Sequence, residues 1–407
     1  MSALAGLRVI ELANERIALA GKLLGDMGAD VILVEPPGGD PARRYAPFVD
    51  DIPGPDRSLY WWHYNTSKRS VVLDLDTAAD RDRFRALLRG ADILLESEPV
   101  RRLADLGLDY ADLASANPGL LHAAVTPYGR RFPDSDLPCT DLTVLAGGGP
   151  VWSNGYDDHA LPPVRGGGNQ GWNIGCHYAV MALLTALLHR MATGEGQFID
   201  VSFHAAANVT TEAASFFWLG AKQTVQRQTG RHAMVQPTIP VQVRCADGRY
   251  VNSGVPPRFP EEFQRLLAWL DKLGIGAEFP ERVFLEQGAQ WQGAFDIMKV
   301  GVDDEITAIF GAGREGMRLI ASKLPAYEFF IGCQEMDLAA GIIYSPEEAI
   351  QDPHFQARGM QVPIEHPEIG RTVHYPGAPY VLPASPWRIA RRAPRLGEHD
   401  DEVFGAL

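Results

Sequence analysis

Short apolar runs alternate with helical segments along the first 200 residues, and this alternation limits the possible folds more than any other feature. The strand-like runs are Val9–Leu12, Val31–Val34, Val71–Leu75, Ile93–Leu95 and Leu120–Val125. Helical segments at about 18–27, 76–88 and 103–116 lie between some of them. Short apolar strands separated by helices pair in parallel, with both sheet faces covered. The pattern predicts an α/β domain with a doubly wound parallel sheet, where ligands bind beyond the carboxyl ends of the strands.

The chain is long enough for more than one domain. At 407 residues it exceeds the range in which a single hydrophobic core keeps growing. Beyond residue 217 the alternation weakens, and residues 218–335 mix short strands with charged helices. We therefore expect a large domain over 1–217 and a small domain over 218–335. Residues 336–407 are rich in proline and predict a tail that packs along a surface.

Charge and composition exclude several classes of partner. The formal charge of −14 disfavours a general nucleic-acid-binding protein, which needs a basic surface. We see no uncharged apolar run of membrane-spanning length and no signal peptide at the amino terminus, so no membrane partner is expected. The four cysteines are widely separated and form no metal-type or disulfide-like pattern. The sequence predicts a cytoplasmic protein without a bound metal.

Two basic segments lie beside predicted strands. Arg43 and Arg44 follow the second strand in a loop that begins at Gly38, where phosphates could bind. Lys68 and Arg69 directly precede the third strand. Both segments could equally be solvated turns. The glycine runs at 147–149 and 166–168 do not fit the dinucleotide-binding pattern, so a nicotinamide or flavin cofactor is not expected.

Together, seven segments in order resemble the family III CoA-transferases, which include formyl-CoA transferase and the α-methylacyl-CoA racemases. The resemblance implies a large α/β domain and a small domain in a ring-shaped chain that interlocks with a second subunit. It also implies that the tail (336–407) returns to the large domain and that acyl-CoA is the substrate. The matching segments are Leu7–Leu12, Gly28–Pro41, Asn65–Leu75, Asp141–Leu142, Thr193–Gln197, Ala357–Met360 and Ala393–His399.

Trp172 occupies the position at which the family resemblance places a catalytic aspartate. In such transferases a carboxylate attacks the acyl-CoA thioester and forms a mixed anhydride, a reaction for which indole has no nucleophile. A shift of one residue places Gly171 or Asn173 there, and neither is an acid. The racemase branch needs titratable groups at this loop and before Asp141, but the chain has Asn173 and Thr140. The resemblance therefore implies that no catalytic residue is present at the family position.

The resemblance also bears on how acyl-CoA would bind. Family members commonly place a phosphate-facing arginine where this chain has Asp105, so Arg101 or Arg102 would have to replace it. Several aromatic residues could shape an acyl pocket, although core packing explains such residues about as often. These are Trp61, Trp62, Tyr64, Trp152 and Trp172. The predicted CoA-binding residues are Arg43, Arg44, Lys68, Arg69, Arg101 and Arg102.

Two interpretations of the function stay open. In the first, the chain is the subunit without a nucleophile in a heteromeric CoA-transferase such as benzylsuccinate CoA-transferase, paired with an active paralogue. In the second, it is an active homodimer whose nucleophile is another carboxylate: Glu15, Asp141 or Asp157. Asp141 is the weak candidate, because its place at a helix start favours a structural role.

Overall fold

The computed structural model describes residues 2–211, 213–254, 256–293 and 295–406, and the chain divides into two compact units. The large unit comprises Met1–Gly155, Pro162–Val225 and Ile350–Leu407. The small unit comprises Tyr156–Leu161 and Gln226–Ala349. Both boundaries along the chain lie somewhat later than residues 217 and 335, and a short segment near residue 160 also joins the small unit.

The large unit opens with alternating strands and helices. Its elements are β1 (Arg8–Leu12), α1 (Ala18–Asp26), β2 (Asp30–Glu35), α2 (Leu59–Tyr64), β3 (Lys68–Val72), α3 (Ala78–Arg89), β4 (Ile93–Glu96), α4 (Arg102–Asp105), α5 (Tyr110–Ala116), β5 (Leu121–Thr126), α6 (Asp141–Gly148), α7 (Gln170–Thr193), β6 (Gln197–Ser202), α8 (Phe203–Val209) and α9 (Ala213–Phe216).

The six strands form one parallel sheet in the order β3-β2-β1-β4-β5-β6, which confirms the predicted doubly wound fold. The strand order reverses direction between β1 and β4, and in such sheets this is the point where ligands bind. Three details differ from the prediction. β3 begins at Lys68, three residues early, β6 was not predicted, and the helix expected over 103–116 is two helices separated by a turn at Gly107.

The small unit packs four main helices against short antiparallel strands. Strands β9 (Gln242–Arg244), β10 (Tyr250–Asn252) and β11 (Gly341–Ile342) form one sheet, and β7 (Gln226–Gln228) pairs with β8 (Arg231–Met234). Its core is built on Phe263, Leu266 and Trp269 of one helix face. The elements are β7 (Gln226–Gln228), β8 (Arg231–Met234), β9 (Gln242–Arg244), β10 (Tyr250–Asn252), α10 (Pro260–Lys272), α11 (Arg282–Ala289), α12 (Asp304–Lys323), α13 (Ala326–Glu335), β11 (Gly341–Ile342) and α14 (Pro346–Ala349).

The last part of the chain packs on the large unit. It contains α15 (Pro353–Ala357), the hairpin β12 (Gln361–His366) and β13 (Arg371–Pro376), and α16 (Asp400–Phe404). The backbone between the hairpin and α16 bonds to the start of β3: Ser67 N–H donates to Arg391 O and His399 N–H to Ser70 O, both at 3.0 Å. These bonds attach the tail to the edge strand of the sheet.

Helix α7 covers one face of the sheet. Its inner side carries Trp172, Cys176 and Leu183, which belong to the large unit's core. The helix is long and apolar enough to cross a membrane by length and composition, but nearly half of its apolar stretch is buried within the unit. The outer side of the helix is exposed toward its carboxyl end, where Leu188 and Met191 are 67% and 76% exposed.

Buried ion pairs stabilise the sheet near the carboxyl ends of β1 and β2. Lys68 and Glu11 are both fully buried, and Lys68 Nζ donates to Glu11 Oε1 at 2.8 Å. Ala18 O and Asn65 Oδ1, each 2.9 Å away, accept its other two protons. Burial raises the pKa of Glu11 more than Lys68 lowers it. Gly21 of α1 is required here, because a Cβ at that position would lie 1.8 Å from Glu11 Oε2.

Arg43 forms the equivalent pair with Glu35 at the end of β2. Its Nε and Nη2 donate to the two carboxylate oxygens at 2.7 Å each, and Nη1 donates to Asp56 at 3.1 Å. The guanidinium stacks on the Trp61 ring, 3.9 Å from its centroid. Since Arg43 is 1% exposed, this pair belongs to the interior of the unit.

We expect Lys68→Met to destabilise the chain by about 3–5 kcal/mol, because removing one partner of a buried pair leaves the other charge uncompensated. The thermal unfolding midpoint should fall by roughly 10 °C. The deficit should be larger at pH 8 than at pH 6, since unpaired Glu11 is accommodated better when protonated. Arg101→Met is the control, because the Arg101 side chain is 83% exposed and should change the midpoint little. Equal midpoints for the two variants would contradict the structural role of Lys68.

A second prediction concerns Glu398, which holds the tail together. Burial alone would raise its pKa, but hydrogen bonds from Arg392 and from Arg395 N–H lower the pKa from 4.5 to about 2. The stabilisation is therefore complete above about pH 5 and is lost as the pH falls toward 2. Glu398→Gln should cost about 1–3 kcal/mol at pH 7, and its midpoint should converge with the wild-type midpoint in acid. Glu402→Gln, at a side chain that is 60% exposed, should have little effect at any pH.

Candidate functional site

The loops after β1 and β4 form the edge of the sheet where a ligand is expected. Residues 13–16 follow β1, and residues 97–101 follow β4. Helix α2 and the first turn of α7 lie beside the loop after β1, because Tyr60 lines a cavity with Asn14 and Glu15 and the Arg16 guanidinium lies over the Trp172 ring. The two helices also meet each other, since Asn169 Nδ2 donates to the hydroxyl of Tyr60 at 2.6 Å. Neither Asn169 nor Tyr60 was predicted from the sequence, since neither lies in a matching segment.

Trp172 lies in the hydrophobic core of the large unit and is 4% exposed. Its ring meets Phe203 edge to face, with centroids 4.8 Å apart, and the Arg16 guanidinium lies 5.7 Å from its centroid. Gly175, one turn later, permits this packing, because a Cβ there would lie 2.0 Å from the Phe203 ring. The indole therefore fills core space at this position.

Asp141 stabilises the start of α7. Its Oδ1 accepts from the backbone N–H of Trp172 at 3.1 Å, and its Oδ2 accepts from Arg165 at 2.9 Å. A carboxylate near a helix amino terminus satisfies free N–H groups and interacts favourably with the helix dipole. Both oxygens of Asp141 thus have structural partners. Arg165, which was not predicted, supplies the counter-ion.

Glu15 is the carboxylate of the loop after β1 that faces a cavity. The Tyr45 hydroxyl bonds to it, and burial together with this carboxylate raises the pKa of Tyr45 to about 12. The cavity is also lined by Tyr60 and Trp61, and its volume is about 10 Å³. That volume holds at most one water molecule.

Asp157, the third alternative carboxylate, lies in the small unit and is ion-paired. Arg231 donates to both of its oxygens, at 2.8 and 3.1 Å. Burial is the largest single influence and opposes ionisation, but the hydrogen bonds from Arg231 and Thr229 and the charge of Arg231 together outweigh it and lower the pKa of Asp157. A carboxylate held by a bidentate arginine is a poor nucleophile, because its charge is already compensated.

Three of the six predicted CoA-binding residues are paired with carboxylates of the large unit. Lys68 and Arg43 are buried in the ion pairs described above, with their donors occupied. Arg69 bonds to both oxygens of Asp30, at 2.9 and 2.7 Å, and to Glu402 at 2.9 Å. The structural reason is the same in each case: a carboxylate of the sheet or of the tail has taken the cation as its partner.

The other three predicted cations remain at the surface. Arg44 is exposed and donates to Gly38 O at 2.9 Å. Arg101 pairs loosely with Asp105 at 3.7 Å, and Arg102 pairs with Asp76 at 2.8 Å. Arg101, one of the two residues expected to replace the family arginine, is thus paired with Asp105.

A further cation, Arg130, was missed by the sequence reasoning. It donates to Glu96 at 2.6 Å, and Glu96, at the end of β4, is fully buried. His122 Nε2 lies 3.2 Å from the same carboxylate oxygen. Arg130 follows the end of β5 closely, and this position in the sequence is the signal that could have identified it as a residue of the site.

The aromatic residues that could shape an acyl pocket have different surroundings: three lie on α2, and the other two lie elsewhere in the large unit. Trp61 stacks under Arg43, while Trp62 stacks on His366 with ring centroids 4.0 Å apart. Trp152 is 47% exposed and donates to Val225 O. Trp172 is in the core, and Tyr64 packs against Tyr60 at 4.7 Å. Most of these residues serve core and tail packing. Within the described residues, no group of three or more His, Cys, Asp or Glu side chains could hold a metal ion.

Known proteins match this chain over nearly its whole length. The family model for CoA-transferase family III aligns with residues 4–400. Succinyl-CoA:(R)-benzylsuccinate CoA-transferase subunit BbsE of Thauera aromatica is 32% identical, over 98% of this chain and 92% of the relative. Succinate–glutarate CoA-transferase of Agrobacterium fabrum is 31% identical, over 99% and 95%.

Solved structures agree at the level of the fold. A CAIB/BAIF family protein from Brucella suis superposes with a TM-score of 0.79, at 24% identity over 100% of this chain and 99% of that chain. Rv3272 from Mycobacterium tuberculosis gives a TM-score of 0.76 at 22% identity, over 99% of both chains. Because the family model and the relatives cover nearly all of the sequence, the chain belongs to CoA-transferase family III.

Proposed function

We propose that this chain is the subunit without a nucleophile in a heteromeric transferase that moves CoA between carboxylic acids. The observation that carries the proposal is the burial of Trp172 in the core, at the position where the family resemblance places an aspartate. CoA transfer through a mixed anhydride needs a carboxylate that can reach the thioester. At this position the chain offers an indole packed on Phe203.

The three alternative carboxylates also bear on the proposal. In Asp141 and in Asp157, both carboxylate oxygens accept hydrogen bonds from structural partners. Glu15 faces a cavity of about 10 Å³, which holds at most one water molecule and therefore no acyl group. Of the three candidates, only Glu15 has no ion pair with the residues that the structure describes, and it is the candidate left for the second interpretation, an active homodimer.

An assembly with a paralogous, nucleophile-bearing subunit fits the surface of α7. Met181, Leu188 and Met191 are all more than half exposed on this helix. Residues seven and three positions apart share one helix face, so they give α7 an exposed apolar side of the kind that can form an interface. The relative from Thauera aromatica is named as a subunit, which supports a heteromer.

We propose that the two subunits form an interlocked pair of rings in the cytoplasm. Acyl-CoA would bind through Arg44, Arg101 and Arg102, and an aromatic acid is a candidate acceptor.

The decisive experiment compares the chain alone with the chain co-expressed with a paralogue from the same genome that carries the aspartate. Succinyl-CoA is a suitable donor, because the names of several relatives contain it. Exchange between succinyl-CoA and radiolabelled succinate needs no knowledge of the natural acceptor. We expect exchange at least 100-fold faster for the pair than for this chain alone. Hydroxylamine should trap the anhydride carboxylate on the paralogue.

Glu15→Gln in this chain serves as the matched variant. If this chain is the supporting subunit, the substitution should change the exchange rate of the pair less than twofold. Exchange by the isolated chain, lost in Glu15→Gln, together with a hydroxamate at Glu15, would establish the active-homodimer interpretation instead.

We expect that restoring the family residue by Trp172→Asp does not create activity. The substitution removes a large core side chain, at a cost of about 3–5 kcal/mol, and leaves a carboxylate in an apolar site. Stabilisation by the amino terminus of α7 offsets only about 1 kcal/mol of this. The thermal unfolding midpoint of Trp172→Asp should fall by roughly 10 °C or more. The midpoint of Trp172→Phe should fall much less, because an aromatic ring still fills most of the space. A stable Trp172→Asp variant that catalyses exchange would show that the site is otherwise intact.

A further inference from the structure

A basic cleft lies at the amino-terminal edge of the parallel sheet, at the opposite end of the strands from the expected acyl-CoA site. The first residues of β2 and β3, the end of α1 and the tail form its walls, and its volume is about 420 Å³. Three arginines line it: Arg69, Arg388 and Arg391. A pocket of this size accommodates a small-molecule ligand.

Two of these arginines lack an acidic partner. Arg69 is bonded to Asp30 and Glu402, and Asp30 is also bonded by Arg8, so these charges are compensated. In the described part of the chain, neither the Arg388 nor the Arg391 guanidinium contacts a carboxylate. The cleft therefore has an excess of positive charge, in a chain whose net charge is −14.

The backbone that carries the two arginines is fixed. Arg388 N–H donates to Asp26 O at 3.0 Å, and Ala390 N–H donates to Ser67 Oγ at 2.9 Å. Ser67 N–H in turn donates to Arg391 O at 3.0 Å. Because these bonds set the position of the tail against α1 and β3, the two side chains start from rigid points, which lowers the entropic cost of binding.

The hydrogen bonding of Arg391 is incomplete. Its Nη1 lies 3.1 Å from Nε2 of His399, and the backbone N–H of Ser70 points at Nδ1 of the same ring at 3.3 Å. A neutral imidazole has a single acceptor nitrogen, so it cannot accept from both donors. Burial lowers the pKa of His399 and so favours the neutral ring. The guanidinium of Arg391 is left with donors that an anion can use.

One feature opposes anion binding, namely the carboxyl end of α1, which carries a partial negative charge. Its last carbonyls are already bonded, however: Leu23 O and Gly25 O accept from Met27 and Gly28, and Asp26 O accepts from Arg388. The two unpaired positive charges of Arg388 and Arg391 outweigh the partial negative charge that remains at the carboxyl end of α1.

We propose that this cleft binds a phosphate group, as free phosphate or as a small phosphate monoester, between Arg388 and Arg391. A guanidinium presents two parallel donors, and two of them match the several oxygens and double charge of a phosphate better than a single carboxylate. The site rests on the geometry of the tail and is independent of CoA transfer by this chain.

Calorimetric titration at low ionic strength tests the site, using the full-length chain or the complex if the chain is obtained with a partner subunit. The probes are inorganic phosphate, glycerol phosphate and succinate. We expect a phosphate probe to bind and to raise the thermal midpoint. Arg388→Ala or Arg391→Ala should weaken binding at least tenfold. Arg89→Ala, at an exposed arginine outside the cleft, should leave it unchanged.

A tighter affinity for inorganic phosphate or for glycerol phosphate identifies which form the cleft takes, and either result supports the site. Succinate that binds as tightly as phosphate would overturn the assignment to phosphate. Absence of binding by both phosphate probes, or binding that persists in the Arg388→Ala and Arg391→Ala variants, would overturn the site itself. Arg388→Lys and Arg391→Lys keep the charge without the paired donors and should give intermediate affinities, which guards against loss of binding through misfolding.

Discussion

The structure of the large unit depends on the pairing of carboxylates buried at the carboxyl edge of its sheet. Glu11, Glu35 and Glu96 are all fully buried near the ends of β1, β2 and β4. An unpaired charge at such depth is strongly destabilising, so each glutamate needs a cation within hydrogen-bond distance. Their partners are Lys68, Arg43 and Arg130 respectively. The same edge is where a doubly wound sheet binds its ligand. The demand for internal neutralisation therefore limits the positive charge left for CoA.

This constraint and Trp172 point in the same direction. The chain keeps the family fold, but Trp172 and three of the six predicted CoA-binding cations, Arg43, Lys68 and Arg69, have partners within the large unit. Trp172 packs on Phe203. Both oxygens of Asp141 accept hydrogen bonds, one from the Trp172 N–H and one from Arg165. This arrangement suits the supporting role that we propose, in which a partner subunit needs a folded neighbour. The unpaired arginines of the tail lie instead at the opposite edge of the sheet.

The sequence predicted most of the sheet and little of the site. The strands were recognisable because apolar runs bounded by turn residues are a local signal. β6 was missed because it is an edge strand of mixed polarity, and β3 was placed late because its first residues, Lys68 and Arg69, are charged. A buried lysine at a strand start looks like a solvated flank until its partner, 57 residues earlier in the chain, is known.

By itself, the sequence determined the fold class, the family and the absence of an acid at position 172. These follow from hydrophobic pattern and residue identity, which are properties of single positions and their near neighbours. Only the tertiary structure decided which cations are available to a ligand, which carboxylates are already bonded, and that the indole fills the core. Those outcomes depend on contacts between residues far apart in the chain, such as Arg43 with Pro394 O or Ser67 with Arg391 O. The burial and hydrogen bonding of a charge are set by the packed chain, and no local pattern specifies them.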